Sequence, residues 1–365
     1  MIQLVPEATT AVAADTAPTT VGSSSFSGLS FAARTAIRGG ASQPAVGTDT
    51  AETTINLRPR LRRLGQSELR VFPLAIGGNV FGWTADADAT NGVLDSYVQQ
   101  GGNFIDTADS YAGGRSEIMI GNWMRDRRNR SDLVIATKVG KSADHPGVRA
   151  SSVARAVNAS LQRLRVEEID LLYLHIDDES VPFEETLLAV DDLIRAGKVR
   201  YFGASDHSGN RLIEARVIAA QLGVAPAVAL QNHYNLMHRT GYEGTLSRVA
   251  AQQGLGMMPR FALASGFLAG KYRTRADLGK NSRGTETAKY LTKRGLRILS
   301  ALDRVAAEQG QSVATIALAW LLTKPNVVAP VVSASRPDQV AELMAAAQVQ
   351  LTRHQVAELD RISAP

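Results

Sequence analysis

The sequence predicts a closed (β/α)8 barrel, the TIM-barrel class of α/β folds, on three observations. Short β-branched or apolar runs alternate with longer amphipathic segments, a rhythm that implies βα units. Eight such runs can be placed, near residues 74–78, 103–106, 133–138, 169–175, 199–204, 227–231, 256–259 and 327–332. No GxGxxG fingerprint follows the first of them, where an open doubly wound sheet would carry one. The length of 365 residues also suits a barrel, which commonly exceeds about 250 residues once insertions are counted.

Residues 1–57 are rich in Ala, Thr, Ser and Gly, show no sustained period of 2 or 3.6, and read as a disordered extension ahead of a barrel over 58–365. The start MIQLVPEATT has an early Glu7 and no basic n-region, unlike a secretory signal, and SFAARTAIRGG leaves an organellar transit peptide as the alternative to an ordinary tail. LRRLGQSELRVF reads as an N-terminal β-hairpin turning at Gly65 to Ser67. Between the later runs, Val153, Val157, Leu161 and Leu164 recur at helical spacing; Leu187, Val190, Leu193 and Ile194 mark a second apolar face that Gly197 stops. Ser312 is placed to cap VATIALAWLL, Pro325 follows its end, and extra helices are expected near the C-terminus.

Composition narrows the function classes. With 44% hydrophobic and 21% charged residues the chain can bury a large core. The absence of cysteine removes disulfides, thiolate nucleophiles and Cys-ligated zinc, and fits a cytoplasmic setting. The formal charge of +5 arises from 40 basic and 35 acidic residues spread along the chain, so it describes a solvated surface. RDRRNR (125–130) lacks interleaved aromatics and reads as a solvated helix end, which argues against nucleic acid. No apolar stretch approaches the roughly 18 residues of a membrane span.

A barrel places its chemistry at the C-terminal ends of its strands. Asp106, Lys138 and His175 end the second, third and fourth runs, and Tyr111 lies five residues past Asp106. Singly, each has a structural explanation: a turn cap, a snorkelling amine, a satisfied core histidine, a packed ring. Together they form a device, because a buried ammonium beside a phenol favours the phenolate while a carboxylate keeps the ammonium charged. A phenol in that setting can serve as a general acid. Thr107 and Asp109 are expected to support the turn.

Those residues sit in blocks that carry a family resemblance. FIDTADSY with SE at 116–117, TKVG at 137–140, LHIDD at 174–178, VRYFGAS at 199–205, QNHYNLMHR at 231–239, GFLAGKYR at 266–273 and SASRPDQV at 333–340 resemble the aldo-keto reductase superfamily. The likeness runs in order from about residue 60 to 355 and is nearest the long-chain branch that includes potassium-channel β-subunits. It implies a catalytic tetrad of Asp106, Tyr111, Lys138 and His175. It also implies a nicotinamide dinucleotide laid across the barrel mouth without a Rossmann domain; Arg336 favours NADPH over NADH.

By the same resemblance, Ser205, Asp206 and Gln231 would contact the nicotinamide carboxamide. Arg260, Leu263, Gly266, Leu268, Gly270 and Lys271 would follow the cofactor through its pyrophosphate, and Ser333, Ser335, Arg336, Gln339 and Glu342 would surround the adenosine end. Arg336 could then grip a 2′-phosphate. Three positions depart from the family pattern: Arg260 where an aromatic ring is usual, Asp206 where asparagine is usual, and Ser333 for glycine. Asp206 is expected to bring negative charge near the carboxamide and so favour the oxidised nicotinamide.

The expected activity is reduction of an aldehyde or ketone, the small-molecule partner, by hydride transfer. Asn79, Phe81 and Trp83 after the first run, with His233, would suit a sugar or another hydroxylated carbonyl compound. The rival reading is a barrel that keeps its cofactor but serves as a regulatory or binding subunit. A metal-dependent hydrolase is disfavoured, since the six histidines include no HxH or HExxH arrangement. The oligomeric state is not legible.

Overall fold

Leu64, Leu69 and Val71 are spaced among charged neighbours, and the first described elements bury them. The computed structural model describes residues 60–280 and 284–365; the expected extension over 1–57 lies outside the described residues. Strands β1 (Arg62–Arg63) and β2 (Arg70–Val71) pair antiparallel as the expected hairpin. Its turn is held by Ser67, whose hydroxyl donates to the Leu64 carbonyl at 2.7 Å. Gly65 sits at φ +52°, and a Cβ there would lie 2.1 Å from the Val228 carbonyl oxygen, so the close approach admits only glycine.

Eight parallel strands follow: β3 (Ala75–Gly77), β4 (Phe104–Asp106), β5 (Val134–Val139), β6 (Ile169–Leu174), β7 (Val199–Ser205), β8 (Ala229–Gln231), β9 (Gly256–Met257) and β10 (Val331–Val332). They are ordered β10-β3-β4-β5-β6-β7-β8-β9. The barrel closes where Val328 donates to the Met257 carbonyl and Val331 to the Pro259 carbonyl, both at 2.8 Å. All eight expected strands are present. The last two are shorter than their apolar runs because Pro259 and Pro330 have no N–H to give to a ladder.

Helices α1 (Ala87–Gln99), α2 (Arg115–Arg127), α3 (Ala150–Leu164), α4 (Phe183–Arg195), α5 (Gly209–Leu222) and α6 (Thr245–Gln252) cover the outside, one after each of β3 to β8. The short α7 (Gly284–Thr287), then α8 (Lys293–Gln309) and α9 (Val313–Leu322), fill the connection from β9 to β10; α10 (Val340–Ala345) and α11 (Arg353–Ile362) complete the chain. As expected, α3 buries Val153, Val157, Leu161 and Leu164. Gly197, at φ +70°, follows the end of α4, and the Ser312 hydroxyl caps α9 by accepting from the Thr315 amide at 3.1 Å. The Trp320 indole donates to Asp360 at 2.8 Å, tying α9 to α11. No helix among the described residues is long and apolar enough to cross a membrane.

The two-residue period of a strand separates two cores. Ile105, Ile135, Leu172 and Leu174 face the helices. Phe104, Val134, Ala136, Leu171, Tyr173 and Ala229 face the barrel axis, with Leu64, Leu69 and Val71 of the hairpin plugging the lower end. Each such fully buried large side chain contributes about 1.5–3 kcal/mol.

Candidate active site

Continuing the inward set upward by twos leads from Phe104 to Asp106, from Ala136 to Lys138, from Tyr173 to His175, and from Ala229 to Gln231. The register steps them around the barrel: Asp106 pairs with Ala136, two residues before Lys138, and Lys138 pairs with Tyr173, two residues before His175, the stagger that tilted barrel strands require. Gly203, beside Tyr173, leaves room for that ring, which a Cβ would meet at 2.8 Å. The apolar barrel axis thus ends in a polar layer.

In that layer the fully buried Lys138 Nζ donates to Asp106 Oδ1 at 2.5 Å and to the Thr107 carbonyl at 2.7 Å, and lies 3.4 Å from the Tyr111 hydroxyl. Gln231 donates to the other Asp106 oxygen at 2.8 Å. Burial alone would pull the Lys138 ammonium down, but the Asp106 carboxylate and Tyr111 outweigh it and its pKa rises. Tyr111 and His175 meet edge to face, with ring centroids 6.1 Å apart. Burial, then the charges of Lys138, Lys141 and Arg260, hold His175 down to about 2, so its imidazole is neutral. Its Nδ1 is buried without a hydrogen-bond partner.

A supporting shell fixes the loop that carries Tyr111. Glu117 accepts from Thr137 at 2.5 Å and from Arg163 at 2.7 Å, while Ser116 bridges Thr107 and the Gly78 carbonyl, each at 2.8 Å. The Asp109 amide donates to the Lys138 carbonyl at 3.0 Å. Burial, then Glu117, pushes the Asp109 carboxyl up to about 6.

Asp106 and Tyr111 form one wall of a cleft of about 270 Å³. Its other walls include Asn79, Gln231, Arg260, Leu263, Gly266, Lys271, Ser333, Ser335, Gln339 and Glu342. The segment after β9 reaches it in a contorted path: Phe261, Ala264 and Ser265 are non-glycine residues at φ +52°, +49° and +56°, followed by Gly266 at +95°. Such backbone costs about 1–3 kcal/mol per residue and gathers at ligand sites. Ser205, beside Gln231 in register, buries a hydroxyl with no hydrogen-bond partner.

The family model for the aldo/keto reductases matches residues 73–364. The chain belongs to this family. It is 34% identical over 299 residues to a probable voltage-gated potassium channel subunit beta of Oryza sativa subsp. japonica, covering 79% of this chain and 91% of that protein. It is 31% identical to norsolorinic acid reductase B of Aspergillus parasiticus, with 83% and 84% covered. A putative aryl-alcohol dehydrogenase of Saccharomyces cerevisiae is also 31% identical, with 83% and 86% covered. The family and its reductase relatives support oxidoreductase chemistry on carbonyl groups.

Within this aldo/keto reductase barrel, several residues stand elsewhere than the sequence suggests. Asp206 does not present a free negative charge. Its backbone takes the left-handed conformation at φ +61°, and Arg260 grips its carboxylate through Nε and Nη2 at 3.0 and 2.8 Å. Arg260 also lies over the Phe261 ring at 4.7 Å, so the two departures from the family pattern form one neutralised pair. Ser333 donates to the side-chain carbonyl of Asn79, which joins the ends of β10 and β3. Phe81 is fully buried in the outer core and lines no part of the cleft. Leu268 is likewise buried, and Gly270 ends a turn at φ +74°. Trp83 is exposed at the rim. His233 stacks on His238 at 4.0 Å and contacts the Asn235 amide at 3.2 Å, so its ring is engaged within its own loop. Arg336 is exposed and pairs with Asp338 at 3.0 Å. Sequence reasoning passed over Lys141, although TKVGK sets it three residues after Lys138.

Proposed function

We propose that the protein is an NADPH-dependent reductase that converts an aldehyde or ketone to the alcohol, with Tyr111 as general acid. The observation that carries this reading is the Lys138 ammonium, which bridges Asp106 at 2.5 Å and the Tyr111 hydroxyl at 3.4 Å beside a cleft that Asp106 and Tyr111 both line. The reduced nicotinamide, when bound, supplies the hydride. Tyr111 gives its proton to the carbonyl oxygen as negative charge grows there, and Lys138, anchored by Asp106, stabilises the oxygen left behind. His175, held neutral, donates a hydrogen bond to the same oxygen without competing as an acid. The depth of this layer strengthens each of these interactions by excluding water.

The cleft suits an extended dinucleotide. The Gln231 amide offers a polar group to the cleft, with the orphaned Ser205 hydroxyl beside it in register; Gly266 and Lys271 offer close main chain and positive charge. The preference for NADPH rests on Lys271 and Arg336. The Arg336–Asp338 pair is open to solvent and weak, so Arg336 can exchange that carboxylate for a 2′-phosphate at little cost.

A purified sample should oxidise NADPH with aldehydes or ketones from a mixed panel. Arg336→Glu should weaken NADPH binding by about tenfold or more while changing NADH binding little; equal losses would remove the NADPH assignment. Binding of NADPH with no turnover on any carbonyl would favour the second reading, a cofactor-holding regulatory barrel, which the potassium-channel subunit relative supports.

A further inference from the structure

The rim beside His175 carries more positive charge than its one shared carboxylate can neutralise. Lys141 follows β5, Asp206 follows β7 and Arg260 follows β9, so these three groups span the rim around the end of β6, where His175 stands. Arg260 occupies Asp206 with paired contacts at 2.8 and 3.0 Å. Lys141 reaches the same carboxylate only at 3.9 Å, with no other ion-pair partner among the described residues. Its side chain is 40% exposed, so it remains open to a ligand. Lys141 does not line the cleft assigned above to the cofactor.

We propose that Lys141, seated beside the Asp206–Arg260 pair, binds a carboxylate on the carbonyl substrate, so that the preferred substrates are small oxo acids. This rests on the reductase reading and deepens it. A carbonyl held by Tyr111 and His175 leaves the remainder of the substrate to meet the rim, and of the three cations that act on His175 only Lys141 is not firmly paired. The field of this cation reaches the reacting position, since Lys141 and Arg260 both help to keep His175 neutral. Burial, then Arg260 and Lys138 against the opposing Asp206, lowers the Lys141 pKa, a cost that a bound anion would relieve. A single ammonium suits a monoanionic carboxylate better than a phosphate, which takes several converging donors. The chemistry is otherwise unchanged: the carbonyl carbon gains a hydride from NADPH, which is oxidised to NADP+, and the carbonyl oxygen gains the Tyr111 proton.

The test compares kcat/KM for matched pairs, 4-oxobutanoate with butanal and 4-carboxybenzaldehyde with 4-methylbenzaldehyde, in the wild type, Lys141→Met and Lys141→Arg. The wild type should favour the acid of each pair by about tenfold or more, chiefly through KM, and added salt should narrow the gap. Lys141→Met should bring each ratio to within about twofold, and Lys141→Arg should largely restore it. Circular dichroism and NADPH affinity of both variants establish that fold and cofactor site are intact. Reduction of the neutral partners with no preference for the acids would overturn this inference and leave the reductase reading standing, as would equal losses for both partners in Lys141→Met. A preference for glyceraldehyde 3-phosphate over glyceraldehyde with none for the carboxylates would overturn it in favour of a phosphate. Failure to reduce any of these carbonyls while NADPH binds would remove the reductase reading and this inference with it.

Discussion

At the hairpin end of the barrel, Phe104 and Leu171 are fully buried among Leu64, Met258 and other apolar side chains; a few residues further along, the neighbouring strands bury Asp106 and Lys138 just as deeply. Depth is therefore not what distinguishes the two ends. At the lower end, burial of the apolar side chains stabilises the fold directly, and the buried polar groups there, Ser67 and Asp170, have their own hydrogen-bond partners. At the upper end it carries a desolvation penalty of several kcal/mol per ion that only good partners offset. Asp106 receives Lys138 and Gln231, and Lys138 also reaches Thr107 and Tyr111, so the site's stability is conditional on its own completeness.

Breaking the upper end should have the larger consequences. Lys138→Met removes the cation beside Tyr111 and strands the Asp106 carboxylate. Turnover should fall by about a thousandfold, and urea denaturation should show a loss of about 3 kcal/mol or more. The double variant Asp106→Asn with Lys138→Met should recover much of that stability and none of the activity. Phe104→Ala, at the lower end, should cost about 3–4 kcal/mol through its cavity while leaving KM for cofactor and substrate within about twofold.

The smallest effect concerns pH and belongs to the upper end, where His175 and Asp109 lie. The fold holds His175 at about 2, against 6.5 ordinarily, so the unfolded chain takes up a proton below pH 6.5 that the folded chain refuses. The stability associated with a neutral His175 is complete above pH 6.5 and is lost as pH falls, by about 1.4 kcal/mol per unit. Asp109, raised to about 6, works the other way: the fold loses stability as pH rises between 3.8 and 6. His175→Asn should isolate the first contribution, with stability at pH 6.5 minus stability at pH 5.5 lower by about 1 kcal/mol than in the wild type, measured by denaturant titration.

The contrast also explains what was legible in the sequence. The barrel could be read because its strands are apolar runs, and the polar layer could be read because Asp106, Lys138 and His175 each end one of those runs, where a barrel opens its mouth. The Asp206–Arg260 pair could not. Its members are 54 residues apart, each looked like an isolated departure near the nicotinamide, and their meeting depends on a left-handed Asp206 that no glycine announces. The positive φ of Phe261, Ala264 and Ser265 was hidden for the same reason. Phe81 was misplaced because a rim position after β3 does not reveal which way a ring turns.

In the proposed reaction one phenol, beside one buried cation, completes the reduction of a carbonyl group. Tyr111→Phe tests it most directly, with NADPH oxidation followed in the presence of a reactive aldehyde and NADPH affinity measured in parallel. Turnover should fall by about a thousandfold while NADPH binds as in the wild type. Reduction at close to the wild-type rate by the phenylalanine variant would contradict it.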